Sequence, residues 1–180
     1  KLEYLAAKET ASHPTDARRN QRWEAVLRRR VGRPPAPVLN IQNTWTDETL
    51  VVDPAAQNDV APATFNQFLR CHYTLEPTNI DPRLLGVLKD AARKFGRTRV
   101  FIVSGYRHPK YNLMLRKKGR EVAKQSQHTE GHAVDFRLAG VPTESLYRYV
   151  RSLELGGVGL YLHSEFVHAD TGPIRTWQGR

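Results

Sequence analysis

One cysteine, Cys71, in 180 residues removes covalent cross-linking from the ways this chain can hold a fold. Without a second thiol there is no internal disulfide and no cysteine-based zinc cluster. Stability must then come from a hydrophobic core, and any metal must be held by histidine and carboxylate. The length suits one domain with a genuine core and is too short for two large ones. Hydrophobic residues make up 39% and charged residues 26%, a soluble globular profile. No apolar run reaches the roughly 18–20 residues of a bilayer span, so no transmembrane segment is expected. Cys71 is expected to be an inert buried residue in a helix.

The net charge of +10 is uneven. Residues 1–36 carry nine Lys/Arg against four Asp/Glu, and residues 107–124 carry seven against the single Glu121. Such patches favour polyanions in general: nucleic acid, anionic lipid, or carboxylated wall polymers. Trp23, Val26, Leu27 and Val31 recur at helical spacing among arginines, so the first segment reads as a basic amphipathic helix. A solvated helix docked on its own domain is the simpler account of it, since no nucleic-acid motif accompanies it. Arg33-Pro34-Pro35-Ala36-Pro37 cannot continue a helix and reads as a stiff link. This divides the chain into a basic extension with its Pro-rich linker, 1–36, and a domain, 37–180.

Within the domain, Val38–Ile41 and Thr49–Val52 read as short strands joined by a polar turn at Thr46-Asp47-Glu48. Phe65, Phe68 and Leu69 indicate a helix. Asp81 caps a clearer one, with Pro82 at its first position and Gly96 as its stop. Val100–Val103 reads as a buried strand and 109–118 as a helix. Ala133–Leu138, Val158–Leu162 and Phe166–Ala169 read as further strands, with a helix over Pro142–Leu153. The order is α+β, with no internal repeat, and predicts a small antiparallel sheet with flanking helices.

Four of the seven histidines fall within residues 128–168. In Ser126-Gln127-His128-Thr129-Glu130-Gly131-His132-Ala133-Val134-Asp135, an imidazole and a carboxylate stand seven residues apart, with a glycine turn between them. The alternation from Ala133 lets both converge on one ion. His168 follows in Glu165-Phe166-Val167-His168-Ala169-Asp170. Two histidines and an aspartate suit one zinc ion with a fourth position for water, whose pKa zinc lowers to about 7. The spacing alone leaves a metal site and ordinary core or surface histidines equally open. His132 reads as a substrate-side or surface residue, because Gly131 argues against a helical His pair. His13, His72 and His108 carry no signal.

Ser126-x-His128-x-x-Gly131-x-Ala133-x-Asp135, preceded by Ser104-Gly105-Tyr106-Arg107, resembles the zinc D-Ala-D-Ala peptidases and murein endopeptidases. That superfamily also holds lysostaphin-type enzymes and the hedgehog signalling domain. Gly156-Gly157-Val158-Gly159, Phe166–Pro173 and Trp177 are similar to its murein endopeptidase K branch. The resemblance covers about residues 38–178 and implies a hedgehog/D-Ala-D-Ala-peptidase-like zinc fold. It implies hydrolysis of murein stem peptides or cross-links, in the periplasm or outside the cell. A non-catalytic, zinc-containing wall-binding module is the alternative.

The resemblance also implies roles for single residues. His128, Asp135 and His168 match the zinc ligands. Arg107 matches an arginine near the scissile carbonyl, where it would stabilise an oxyanion; a structural arginine is its other reading. Ser126 is expected near the metal or substrate, or as a turn cap. His163 is expected on the substrate approach or as an exposed turn residue. Glu165 matches the Glu-x-x-His arrangement of a general base, although the endopeptidase K-like branch tends to carry asparagine there. In a regular strand 168 and 170 share a face and 165 points away. Glu165 then needs a turn to reach the metal, and Asp170 is the competing base or the group that orients His168.

Overall fold

The protein is described by a computed structural model covering residues 38–118, 123 and 125–179. The basic helix and Pro-rich linker expected within 1–36 lie outside these residues, as do positions 119–122 and 124 of the second basic run. The elements are β1 (Leu39–Asn43), β2 (Thr49–Val52), α1 (Pro62–Phe68), α2 (Arg83–Phe95), β3 (Arg99–Ser104), α3 (Pro109–Lys117), a 3₁₀ turn (Gln127–Glu130), β4 (Ala133–Leu138), α4 (Thr143–Ser152), β5 (Gly157–Tyr161), β6 (Phe166–Asp170) and β7 (Arg175–Gln178). Among the described residues no helix is long and apolar enough to cross a membrane.

The α+β expectation holds, but the sheet is neither small nor purely antiparallel. Seven strands lie in the order β2-β1-β3-β4-β6-β5-β7. The pairs β1–β3 and β5–β7 are parallel and the remaining neighbours antiparallel. The parallel pair at β1 follows from the path of the chain. After the β1–β2 hairpin, α1 and α2 carry it across one face and return it beside β1 in the same direction, which a hairpin cannot do.

Strand alternation sorts the two faces. Ile41, Val100, Ile102, Val134, Phe136, Val167 and Ala169 are buried in one core with Leu84, Leu88 and Ala91 of α2 and Leu146 and Val150 of α4. Truncating a side chain as enclosed as Phe136 would cost about 3–5 kcal/mol. The intervening residues Asp135, His168 and Asp170 share the opposite face. That division puts the apolar core on one side of the sheet and a row of buried polar side chains on the other.

Helix boundaries follow local chemistry. Asp81 does serve the start of α2, its Oδ1 accepting the Arg83 backbone N–H at 3.0 Å, although the helix begins one residue later than expected. Gly96 ends α2 in the left-handed conformation, φ 59°. Cys71 is buried as expected but lies in the loop after α1, not in a helix.

Candidate metal centre

Strand register builds the site. Ser104 pairs with Asp135, Asp135 with His168, His168 with Gly159, and Gly159 with Trp177, one row across five neighbouring strands. A Cβ on Gly159 would lie 2.6 Å from the Trp177 indole. The missing side chain is what lets that ring lie beside His168, with ring centroids 5.0 Å apart. The Trp177 Nε1–H donates to the Tyr161 hydroxyl at 3.1 Å, fixing its plane.

His128 enters from the 3₁₀ turn. Ser126 caps that turn, its Oγ accepting the His128 N–H at 3.3 Å, and Gly131 closes it at φ 75°. A side chain at Gly131 would also collide with the Asn79 carbonyl oxygen, so both conformation and space require glycine. The turn brings the His128 Nε2 to 3.2 Å from Asp135 Oδ1, and the His168 Nδ1 lies 2.8 Å from the same oxygen. The three side chains are buried, and one ligand atom from each lies within 4.8 Å of the other two.

The outward-facing nitrogens are already committed. The His128 Nδ1 donates to the Gly105 carbonyl at 2.8 Å, and the His168 Nε2 donates to Asp170 Oδ2 at 2.9 Å. Each imidazole therefore presents its other nitrogen to the common centre, the arrangement that ligating histidines require. Two such nitrogens and a carboxylate oxygen match the donor set of a zinc site with an open position.

Charge follows the same pattern. Burial opposes ionisation of Asp135, but the two imidazoles hold its carboxyl well below the usual range. Burial lowers His128, outweighing the pull of Asp135. Burial also opposes charge on His168, yet hydrogen bonds to Asp135 and Asp170 carry it up to about 9. Asp170 is held below the usual carboxylate range against its own burial, by His168 and then by Arg175 and the N–H groups of Gly157 and Gly172. Arg175 reaches both Asp170 oxygens, at 3.1 and 2.6 Å.

The other expected residues separate into two groups. Arg107 and Ser126 line the cavity over the cluster, together with Gln125, Gln127, Tyr161 and Arg175. The Arg107 guanidinium makes only long contacts, 3.4 Å to Asn112 and 3.5 Å to Ser104. Glu165 is not brought there. It sits at φ 53° in the turn before β6 and lines a different cleft with Phe101, Arg137 and Thr143. The turn does form at this point, but in a left-handed conformation that directs the carboxylate away. Asn and Gly are the residues at ease with that conformation. His163 is exposed in the same turn and is not among the residues lining the cavity. Asp170 is present, but behind His168 and saturated with donors. Among the described residues lining the cavity, Asp135 is the sole carboxylate. Arg175 is the participant that sequence reasoning missed; it stands in a strand not expected, five residues past Asp170, with no motif to single it out.

Comparison with known proteins adds a family likeness. The model of a family described as peptidoglycan L,D-endopeptidase MepK matches residues 36–177. A Haemophilus influenzae protein named probable peptidoglycan L,D-endopeptidase MepK is 35% identical over 154 residues, covering 83% of this chain and 83% of that protein. The peptidoglycan L,D-endopeptidase MepK of Escherichia coli (strain K12) is 36% identical over 148 residues, covering 79% and 81%. No solved structure gives a significant match.

Proposed function

Because this chain belongs to the peptidoglycan L,D-endopeptidase MepK family, we propose that it hydrolyses peptide bonds of bacterial murein with one zinc ion held by His128, Asp135 and His168. The bond is an internal one between an L- and a D-centre, as the names of its relatives state for them. The work is done in the cell envelope, where that polymer lies.

One observation carries the reading. Three buried donor atoms converge, and each imidazole is oriented from behind by an acceptor on its other nitrogen. His128, Asp135 and His168 would hold a zinc ion, which when bound would supply Lewis acidity towards a water molecule and a carbonyl. The protein's own groups do the positioning. Asp170 holds the His168 Nε2–H and so keeps Nδ1 turned to the centre. Its oxygens are occupied by His168, Arg175 and two backbone N–H groups, so it acts as a positioning residue and not as the proton acceptor. Arg107, loosely held at the cavity wall, can donate to an oxygen that gains charge as the carbonyl is attacked. Gln125, Ser126 and Gln127 offer neutral donors and acceptors to the peptide backbone of the substrate.

Digestion of purified murein tests the proposal. The protein should release peptides, lose that activity to a chelator and regain it with added zinc. Release that a chelator does not affect would overturn the zinc assignment. Binding to murein with no release from any murein type would support the non-catalytic wall-binding module instead.

A further inference from the structure

The cleft does not end at the metal cluster. A second arm shares Arg107, Asp135, Tyr161, Phe166 and Trp177 with the cavity already described, and continues to Trp45, His72 and Tyr111. The aromatic side chains at that far end pack against one another, stacked at Trp45–His72 and Tyr73–Tyr111 and edge to face at His72–Tyr111. The Trp45 ring lies parallel to the His72 ring, with centroids 4.2 Å apart and planes within 3°. The His72 Nε2 is 3.1 Å from the Tyr111 hydroxyl, and Tyr111 stacks on Tyr73 with centroids 5.0 Å apart.

Trp45 is nonetheless 60% exposed. Its indole N–H is already spent on the Val103 carbonyl at 2.7 Å, and its backbone N–H on Asn43 Oδ1 at 3.0 Å. What it offers a ligand is therefore a flat π-face, held in place before anything binds. Burial, with a smaller contribution from Arg107, lowers the pKa of His72 and so favours the neutral form of the ring beneath Trp45. The other polar side chains lining this arm, Ser104, Ser164 and Gln178, are uncharged. Among the described residues of this arm, Arg107 and Asp135 carry the charge, and both lie at its metal end.

We propose that Trp45, backed by His72 and Tyr111, is a sugar platform that docks an amino-sugar ring of the glycan strand while the attached peptide reaches the metal centre. The inference rests on the murein reading above and specifies which part of that polymer this arm grips. A pyranose presents a face of polarised C–H groups that matches the negative face of an aromatic ring, with hydroxyls and amides at its edge for neutral hydrogen-bonding partners. The stem peptides of murein, built largely of alanine and of charged acidic or diamino residues, have no large apolar side chain for such a surface. A preformed ring also loses little entropy on binding.

The test compares Trp45→Ala with the wild type on two substrates: glycan-attached cross-linked peptides, and the same peptides freed of sugar by an amidase. The ratio of kcat/KM on the sugar-bearing to the sugar-free substrate should fall about tenfold, through KM, the size expected for losing one good stack. Trp45→Phe should recover most of the ratio. Peptide-free glycan strands should co-sediment with the wild-type protein and not with Trp45→Ala. An unchanged ratio, or no glycan binding by the wild type, overturns the platform. If the wild type cleaves neither substrate, the peptidase reading fails, and the glycan co-sedimentation still decides the fate of the platform.

Discussion

His168 Nε2 lies 2.9 Å from Asp170 Oδ2, two residues along the same face of one strand. The bond fixes which nitrogen of His168 faces Asp135, and Arg175 together with two backbone N–H groups fixes Asp170 in turn. Removing this support should weaken zinc binding about 10–100-fold. Asp170→Asn, titrated with zinc against a competing chelator dye, measures the loss. An affinity equal to wild type would mean that Asp170 serves the fold alone.

Glu165 is exposed, left-handed and outside the cavity. Glu165→Gln should leave murein hydrolysis near the wild-type rate. Glu165→Gly should relieve the backbone and raise stability by about 0.5–1 kcal/mol. Both follow from one urea titration series and one rate assay. A collapse of turnover in the Gln variant, with zinc still bound, would restore Glu165 as the base.

Arg107 should matter for turnover and not for the metal. Arg107→Ala is expected to lower kcat about 100-fold, the usual effect of losing one donor to a developing oxyanion. Zinc content, measured by atomic absorption, should stay at one ion per chain. Loss of zinc in parallel with rate would make Arg107 a structural residue.

Gly159→Ala places a methyl group against Trp177. Overpacking at that point should cost about 1–3 kcal/mol and move the indole away from His168. Thermal unfolding reports the first effect and Trp fluorescence the second. Unchanged values for both would show that the sheet yields there without strain.

Asp81 links acid stability to the turn that carries His128. Its backbone N–H donates to the Gly131 carbonyl at 3.0 Å, and hydrogen bonds from Arg83 lower its carboxyl to about 2, against a smaller effect of burial. A depressed carboxylate contributes stability above its unfolded pKa of about 3.9 and loses it as pH falls through the folded value. Wild type should therefore exceed Asp81→Asn in stability at pH 7, and the gap should close between about pH 4 and pH 2. Denaturation midpoints across that range decide it; a gap independent of pH would assign the effect to packing.

Much of this arrangement was legible in the residues. Ala133–Leu138 alternates strictly enough to fix the strand and its two faces, and Gly131 signals the turn that carries His128. The parallel pairs were not, because β1 meets β3 only through tertiary packing of α1 and α2, which leaves no local periodic mark. β7 escaped notice because Arg175–Gln178 has no alternation; it is held by Gly159 and by the row of paired strands beside it. Glu165 illustrates a related limit of spacing. Its spacing to His168 is right for a base, but spacing says nothing of the sign of φ, and at +53° the carboxylate turns elsewhere.

The pairing of Asp135 with His168 spans 33 positions of sequence, with α4 and β5 threaded between them. Contacts of that separation close a long loop, and the entropy of that loop opposes the pairing until the rest of the sheet supports it. A chain emerging from the ribosome thus holds His128 and Asp135 well before it can present His168. The proposed ligand set is completed by one of the last strands to arrive, so a half-made or clipped molecule lacks one of its three members. The proposed chemistry therefore waits on the last strands of the domain.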